Sequence, residues 1–246
     1  MVQFIYFCIY LFIFIFGVCI GSFLNVVIYR LPLGIMFKSE RSYCPNCQVQ
    51  IKNYDLIPLL SFIFLKGKCR ACGKKISARY PLVELIVGIS AVISIYKFNY
   101  SAKAFGAFAF CCLLISLSLI KYDKNKVPIS LCILLVANTI ISIFLFKEIT
   151  IFDRLIPCIP VFALFVIGAI TKNNMKVFFF LLLNVFIFLG LKQFVSFYII
   201  LSIITIIIYY NNKNTSDFKY KVYNGIYIAF IITILFGKNI FELLIS

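Results

Sequence analysis

Apolar residues in this chain come in long unbroken runs, separated by short polar breaks rich in lysine. Residues 4–28 form the first run, FIYFCIYLFIFIFGVCIGSFLNVVI, and Arg30 and Pro32 end it. At about 1.5 Å per helical residue it can cross a hydrocarbon core of roughly 30 Å. No basic stretch precedes it, so it reads as a retained span and not as a cleaved signal peptide. Gly17 and Gly21 form a GxxxG step that would let a second helix approach closely. Seven further runs follow at about 82–96, 104–120, 128–146, 156–171, 177–191, 194–210 and 224–245, the sixth and seventh spans being divided only by Lys192-Gln193. The pattern predicts an all-α polytopic membrane protein of about eight transmembrane helices. The exception is residues 30–79, a long polar loop. Inside it Leu56–Leu65 is apolar but short and interrupted by Pro58, which suits an interfacial segment lying on the bilayer. Three regions result: a first helix over 1–29, a loop over 30–79 and a membrane bundle over 80–246.

Composition supports the membrane reading. Of 246 residues 63% are hydrophobic, the mean hydropathy is +1.07 and only 8 residues are acidic. A compact soluble globule has too little interior for that much apolar surface. The net charge of +16 would suggest nucleic acid in a soluble protein. Here topology accounts for it. The 30–79 loop holds Arg30, Lys38, Arg41, Lys52, Lys66, Lys68, Arg70, Lys74, Lys75 and Arg79, and the loops two spans further on hold Lys121, Lys124 and Lys126, then Lys172 and Lys176, then Lys213, Lys219 and Lys221. Eighteen of the 24 basic residues thus fall on one side, which the positive-inside rule makes cytoplasmic, with both termini outside. No nucleic-acid partner is expected; the bilayer is.

Candidate chemistry centres on the loop. Cys44-Pro45-Asn46-Cys47 and Cys69-Arg70-Ala71-Cys72 are two CxxC pairs, the spacing by which four thiolates enclose a tetrahedral zinc ion. A disulfide pair or a redox CxxC is the competing reading. Gly67-Lys68 and Gly73-Lys74-Lys75 favour zinc, because they supply turns and cationic charge beside the thiols. A cytoplasmic loop also keeps thiols reduced. Cys8, Cys19, Cys111, Cys112, Cys132 and Cys158 lie in or beside apolar runs, as small lipid- or core-facing residues.

Three stretches carry a resemblance: Gly21-Ser22-Phe23-Leu24-Asn25-Val26-Val27-Ile28-Tyr29-Arg30-Leu31-Pro32, Lys66-Gly67-Lys68-Cys69 and Arg79-Tyr80-Pro81-Leu82-Val83-Glu84-Leu85. Together with the CxxC pairs they resemble the amino-terminal half of the type IV prepilin peptidase/N-methyltransferases of bacterial pilus and type II secretion systems. The resemblance covers about the first 90 residues. It implies eight spans in the inner membrane, a cytoplasmic zinc loop and prepilin or pseudopilin leader peptides as partners. Members cut a basic leader after a glycine and methylate the new N-terminal residue, usually phenylalanine, with S-adenosylmethionine. Asn25, Arg30, Gly67 and Glu84 match positions of the methyl-transferring half.

The carboxyl-terminal half departs from that pattern. The family's peptidase uses two aspartates, one before a proline at a cytoplasmic helix end and one in a Gly-x-Gly-Asp motif, because two carboxylates must share a proton to activate water and protonate the leaving group. Counting back from Pro128 puts Lys121 at the first position, and Thr171-Lys172-Asn173-Asn174-Met175-Lys176 puts Asn174 at the second. Asp123 is a displaced carboxylate, yet residues 154–216 contain no Asp or Glu to pair with it. The expectation is a relative impaired in leader cleavage that retains methyl transfer, or a non-catalytic prepilin-binding scaffold with a structural zinc module. A zinc module unrelated to pili is the third reading. No GxGxxG marks a nucleotide pocket. Glu84 is expected to pair with Arg30 or Arg79, and Asn138 and Asn184 to hydrogen-bond between helices.

Overall fold

The computed structural model describes residues 1–36, 41–124, 127–156, 158–159 and 176–190, with positions 196–197, 199–201, 203–204, 229 and 233. Among them there is no strand, only helices and two isolated bridges. Three helical stretches, Val2–Leu33, Arg79–Phe98 and Ala102–Lys121, are long and apolar enough to cross a membrane. The chain divides into two units, Met1–Val92 and Ile93–Ser246.

In the first unit, helix α1 (Val2–Arg30) runs unbroken because no proline interrupts it before Pro32. A 3₁₀ turn over Leu31–Leu33 follows, and Gly34 closes it at φ 68°. Helix α3 (Arg79–Phe98) packs antiparallel on α1 along the expected glycine step. A Cβ on Gly21 would stand 2.7 Å from the Cα of Glu84, and one on Gly17 would stand 2.8 Å from the Cβ of Ala91 and 2.9 Å from the Cα of Gly88. Only small residues permit this approach, which brings main chains together where no water drives association. Phe4, Phe7, Phe12, Phe16 and Phe23 are exposed, as side chains turned to lipid are. The expected interfacial segment is broken in two: a 3₁₀ turn over Asn53–Leu56, then helix α2 (Leu60–Phe64), with Leu59 between them at φ 59°. Leu56, Ile57, Leu60, Ile63 and Phe64 remain exposed.

The second unit contains α4 (Ala102–Lys124), α5 (Ile129–Leu145), α6 (Ile151–Leu155) and α7 (Lys176–Leu189). Helix α5 packs on both α4 and α7, and α6 packs on α7. Ala104, Ala107, Phe110, Leu114, Leu117 and Ile120 line the buried side of α4. Between α5 and α7 the buried Thr139 hydroxyl meets Asn184 Oδ1 at 3.0 Å, as expected for Asn184. The Oδ1 of the neighbouring Asn138 is buried without a hydrogen-bond partner.

Arg154 is one of the six basic residues that lie outside the loops counted as cytoplasmic. It is 2% exposed and donates to the carbonyls of Ile187 (2.7 Å), Phe146 (2.9 Å) and Ser142 (3.4 Å), closing the carbonyl ends of α5 and α7. Thr150 begins α6 by accepting the N–H of Asp153 at 3.2 Å, which sets Arg154 facing inward. The spans expected over 156–171, 194–210 and 224–245 lie largely outside the described residues.

Candidate metal centre and the polar junction beside it

Two short loops of the first unit are folded alike. In one, Cys44 N–H donates to Val49 O (3.0 Å), Gln48 N–H donates to Cys44 O (2.9 Å), and Tyr43 bridges Gln50. In the other, Cys69 N–H donates to Lys74 O (2.8 Å), Gly73 N–H donates to Cys69 O (2.9 Å), and Lys68 bridges Lys75. The residue after each second cysteine is left-handed: Gln48 at φ 58° and Gly73 at φ 69°. This turn points both sulfurs of a CxxC to one side. The two loops face each other, and all four Sγ atoms lie within 4.8 Å of one another, with Cys44 and Cys72 at 4.0 Å.

Those distances fit a metal. Four thiolates at about 2.3 Å from one zinc ion are about 3.8 Å apart. The thiols also show why a cation belongs there. Main-chain N–H groups of Cys47 and Asn46 bring Cys44 down to about 6, while Cys47, despite the N–H of Val49, is pushed up to about 11 by desolvation and its three sulfur neighbours. Four thiolates packed this closely repel one another and coexist only around a cation. All four positions are protein thiols, so the ion would be structural, without an open site for substrate.

Side chains brace the two loops. Arg70, inside the second CxxC, makes a two-pronged ion pair with Asp55 at 2.7 and 2.8 Å, and its hydrogen bonds hold the Asp55 carboxyl below its ordinary range. Tyr54 lies under both Arg70 and Lys52. Gly67 holds φ 66°, donates to Phe62 O at 2.8 Å and accepts from Ile76 N–H at 2.7 Å, so it turns the chain into the second loop. A Cβ there would stand 3.0 Å from the Phe62 ring.

Asn25 and Glu84 lie where the loop joins the helices. Asn25 Nδ2 donates to Tyr80 O at 3.1 Å, linking α1 to the first turn of α3. Glu84 is 8% exposed. Its expected arginine partner is replaced by the Leu59 N–H at 2.8 Å, from the residue just before α2, and by the Ser22 hydroxyl. Arg30 instead donates to Arg41 O at 3.1 Å, and Arg79 stacks over Tyr80. Asp55, Ser22, Tyr80 and Leu59 were not singled out in the sequence as partners. The Asp55–Arg70 pair had one available signal, an acid 15 residues before an arginine that is itself fixed between two ligands.

Of the residues bearing on peptide cleavage, Lys121 and Asp123 stand in the last turn of α4, with Asp123 exposed. Asn174 lies outside the described residues.

Residues 15–98 match the model of the bacterial peptidase A24 N-terminal domain. The chain is 41% identical over 122 residues to a prepilin leader peptidase/N-methyltransferase of Myxococcus xanthus, covering 50% of this chain and 36% of the relative. It is 42% identical over 123 residues to one of Klebsiella pneumoniae, covering 48% and 54%, and 37% identical over 116 residues to one of Bacillus subtilis, covering 47% of each. The chain thus spans about a third to a half of the length of these relatives. No solved structure matches. Residues 15–98 are thus similar to the A24 N-terminal domain, and about half of this chain is similar to prepilin leader peptidase/N-methyltransferases.

Proposed function

We propose that the chain is an inner-membrane protein that methylates the N-terminal residue of pilin-like substrates and does not cut their leaders. The observation that carries this reading is an asymmetry between the two units. In the first, every matched motif is built into structure: the four thiols converge, Gly67 makes its turn, and Asn25 and Glu84 join the loop to α1 and α3. In the second, the two positions that the peptidase needs as aspartates hold Lys121 and Asn174. A lysine carries the opposite charge and an asparagine neither ionises nor relays a proton, so a shared-proton pair cannot form there. Asp123 alone supplies one carboxylate where the reaction needs two.

On this reading the eight-span topology puts the zinc loop in the cytoplasm and both termini outside. Zinc on Cys44, Cys47, Cys69 and Cys72 would stiffen the loop, and S-adenosylmethionine would supply the methyl group. Arg30 and Gly67 set the loop's geometry from its two sides. The test is a pair of assays on purified protein in detergent: cleavage of a full prepilin, and methylation of a pilin peptide already freed of its leader. Methylation without cleavage is expected. Cleavage abolished by Asp123→Asn overturns the proposal, and loss of both activities selects the non-catalytic prepilin-binding scaffold. The double variant Lys121→Asp/Asn174→Asp is expected to recover cleavage if the second unit keeps a peptidase scaffold.

A further inference from the structure

The junction between loop and helices buries one hydrogen-bond acceptor without a donor, beside a carboxylate that has acceptor capacity to spare. Asn25 is 5% exposed, and its donation to Tyr80 O fixes which way the amide faces. Its Oδ1 is left buried with no partner. Glu84, one turn along α3 from Tyr80, uses its carboxylate to accept from Leu59 N–H and Ser22. A carboxylate has about four acceptor sites, so part of its capacity is unused. Among the described residues no ion pair goes to Glu84. Because α1 meets α3 antiparallel, with Asn25 at Tyr80 and Gly21 at Glu84, the amide oxygen and the carboxylate stand one turn apart on facing helices.

A buried carboxylate and an orphaned carbonyl oxygen are both costly unless a cation with several donors meets them. We propose that Asn25 Oδ1 and Glu84 bind a primary ammonium group. An ammonium offers three donors on a compact centre, which suits two acceptors on facing helices better than a flat guanidinium does. The site's depth favours one kind of ligand. Asn25 lies five residues before Arg30, and Glu84 lies five after Arg79, the cations at the loop ends of the two candidate spans. An amine that ends an apolar helix reaches this level. This inference rests on the methyl-transfer reading for its substrate, the N-terminal amine of a pilin freed of its leader. The amino group of S-adenosylmethionine has the same chemistry and is the other source.

The test uses the full chain in detergent. One arm compares dissociation constants for an apolar pilin N-terminal peptide with a free or an acetylated amine. The other compares S-adenosylmethionine with its analogue lacking the α-amino group. Wild-type protein is expected to prefer the amine-bearing ligand by about tenfold or more in one arm, the value of a charge-assisted hydrogen bond. Glu84→Gln and Asn25→Leu are expected to bring that ratio near one, and Asn25→Asp, which keeps an acceptor, is expected to preserve it. Zinc content and thermal midpoint report whether each variant folds, and if Glu84→Gln fails to fold, the two Asn25 variants decide. The arm in which discrimination falls identifies the source. No discrimination in wild type in either arm, or discrimination unchanged in the folded variants, overturns the proposal. Amine preference without any methylation retains the site and overturns the methyl-transfer reading instead.

Discussion

Gly73→Ala and Gln48→Gly should act on zinc affinity in different directions, because the two residues occupy the same left-handed position in the two cysteine loops. An L-residue in that region costs about 1–2 kcal/mol. At Gly73 a new Cβ would meet nothing within 4 Å, so the penalty is backbone strain alone. Metal binding and folding of such a loop are one equilibrium, so the strain is subtracted from the binding energy. Gly73→Ala should therefore weaken zinc binding by roughly 5- to 30-fold. Gln48→Gly removes a similar strain, but glycine loses more freedom on folding, by about 0.5–1 kcal/mol, and the Gln48 Nε2 bond to Pro45 O disappears. Its net effect should run from none to a few-fold tighter binding. Competition against a chromophoric chelator at neutral pH measures both. Equal affinity for Gly73→Ala and wild type, or a larger loss for Gln48→Gly than for Gly73→Ala, would refute the argument.

Three other changes test other contacts. Gly21→Val should destabilise the first unit by about 1–3 kcal/mol, since its side chain must enter space held by the Glu84 main chain; thermal unfolding in detergent reads this. Arg154→Met leaves the carbonyls of Ile187 and Phe146 buried without donors and should cost about 3 kcal/mol or more in the same assay. Asp55→Asn breaks the clamp to Arg70. Because Arg70 holds Asp55 below its ordinary range, the clamp stabilises fully above about pH 4 and is lost as pH falls through the lower folded value. The difference between wild type and Asp55→Asn in denaturation midpoint should thus be present at pH 6 and shrink below about pH 4.

What the sequence revealed depended on how local each feature is. Helix α1 and the four cysteines were legible because a run of apolar residues and a pair of CxxC spacings are each complete within a few turns of chain. The close approach at Gly17 and Gly21 was legible as a capacity, while the partner surface at Glu84, Gly88 and Ala91 required the fold. The burial of Arg154 had no local signal, since it depends on carbonyls 8 to 33 residues away. Charge misled at Glu84, which took a main-chain N–H from just before a helix too short to expect. Thr139 was not read as the partner of Asn184, since only the register of α7 against α5 brings the two together. The left-handed Gln48 had no local signal, since its counterpart in the other loop is the usual glycine.

The central claim is that one unit keeps its chemistry while the other has lost its carboxylates. It is tested most directly by presenting the purified chain with a full prepilin and a precleaved pilin peptide, each with labelled S-adenosylmethionine, and measuring leader release and methyl incorporation separately. The account predicts methyl incorporation into the precleaved peptide and no leader release. Leader release that stops on Asp123→Asn would contradict it.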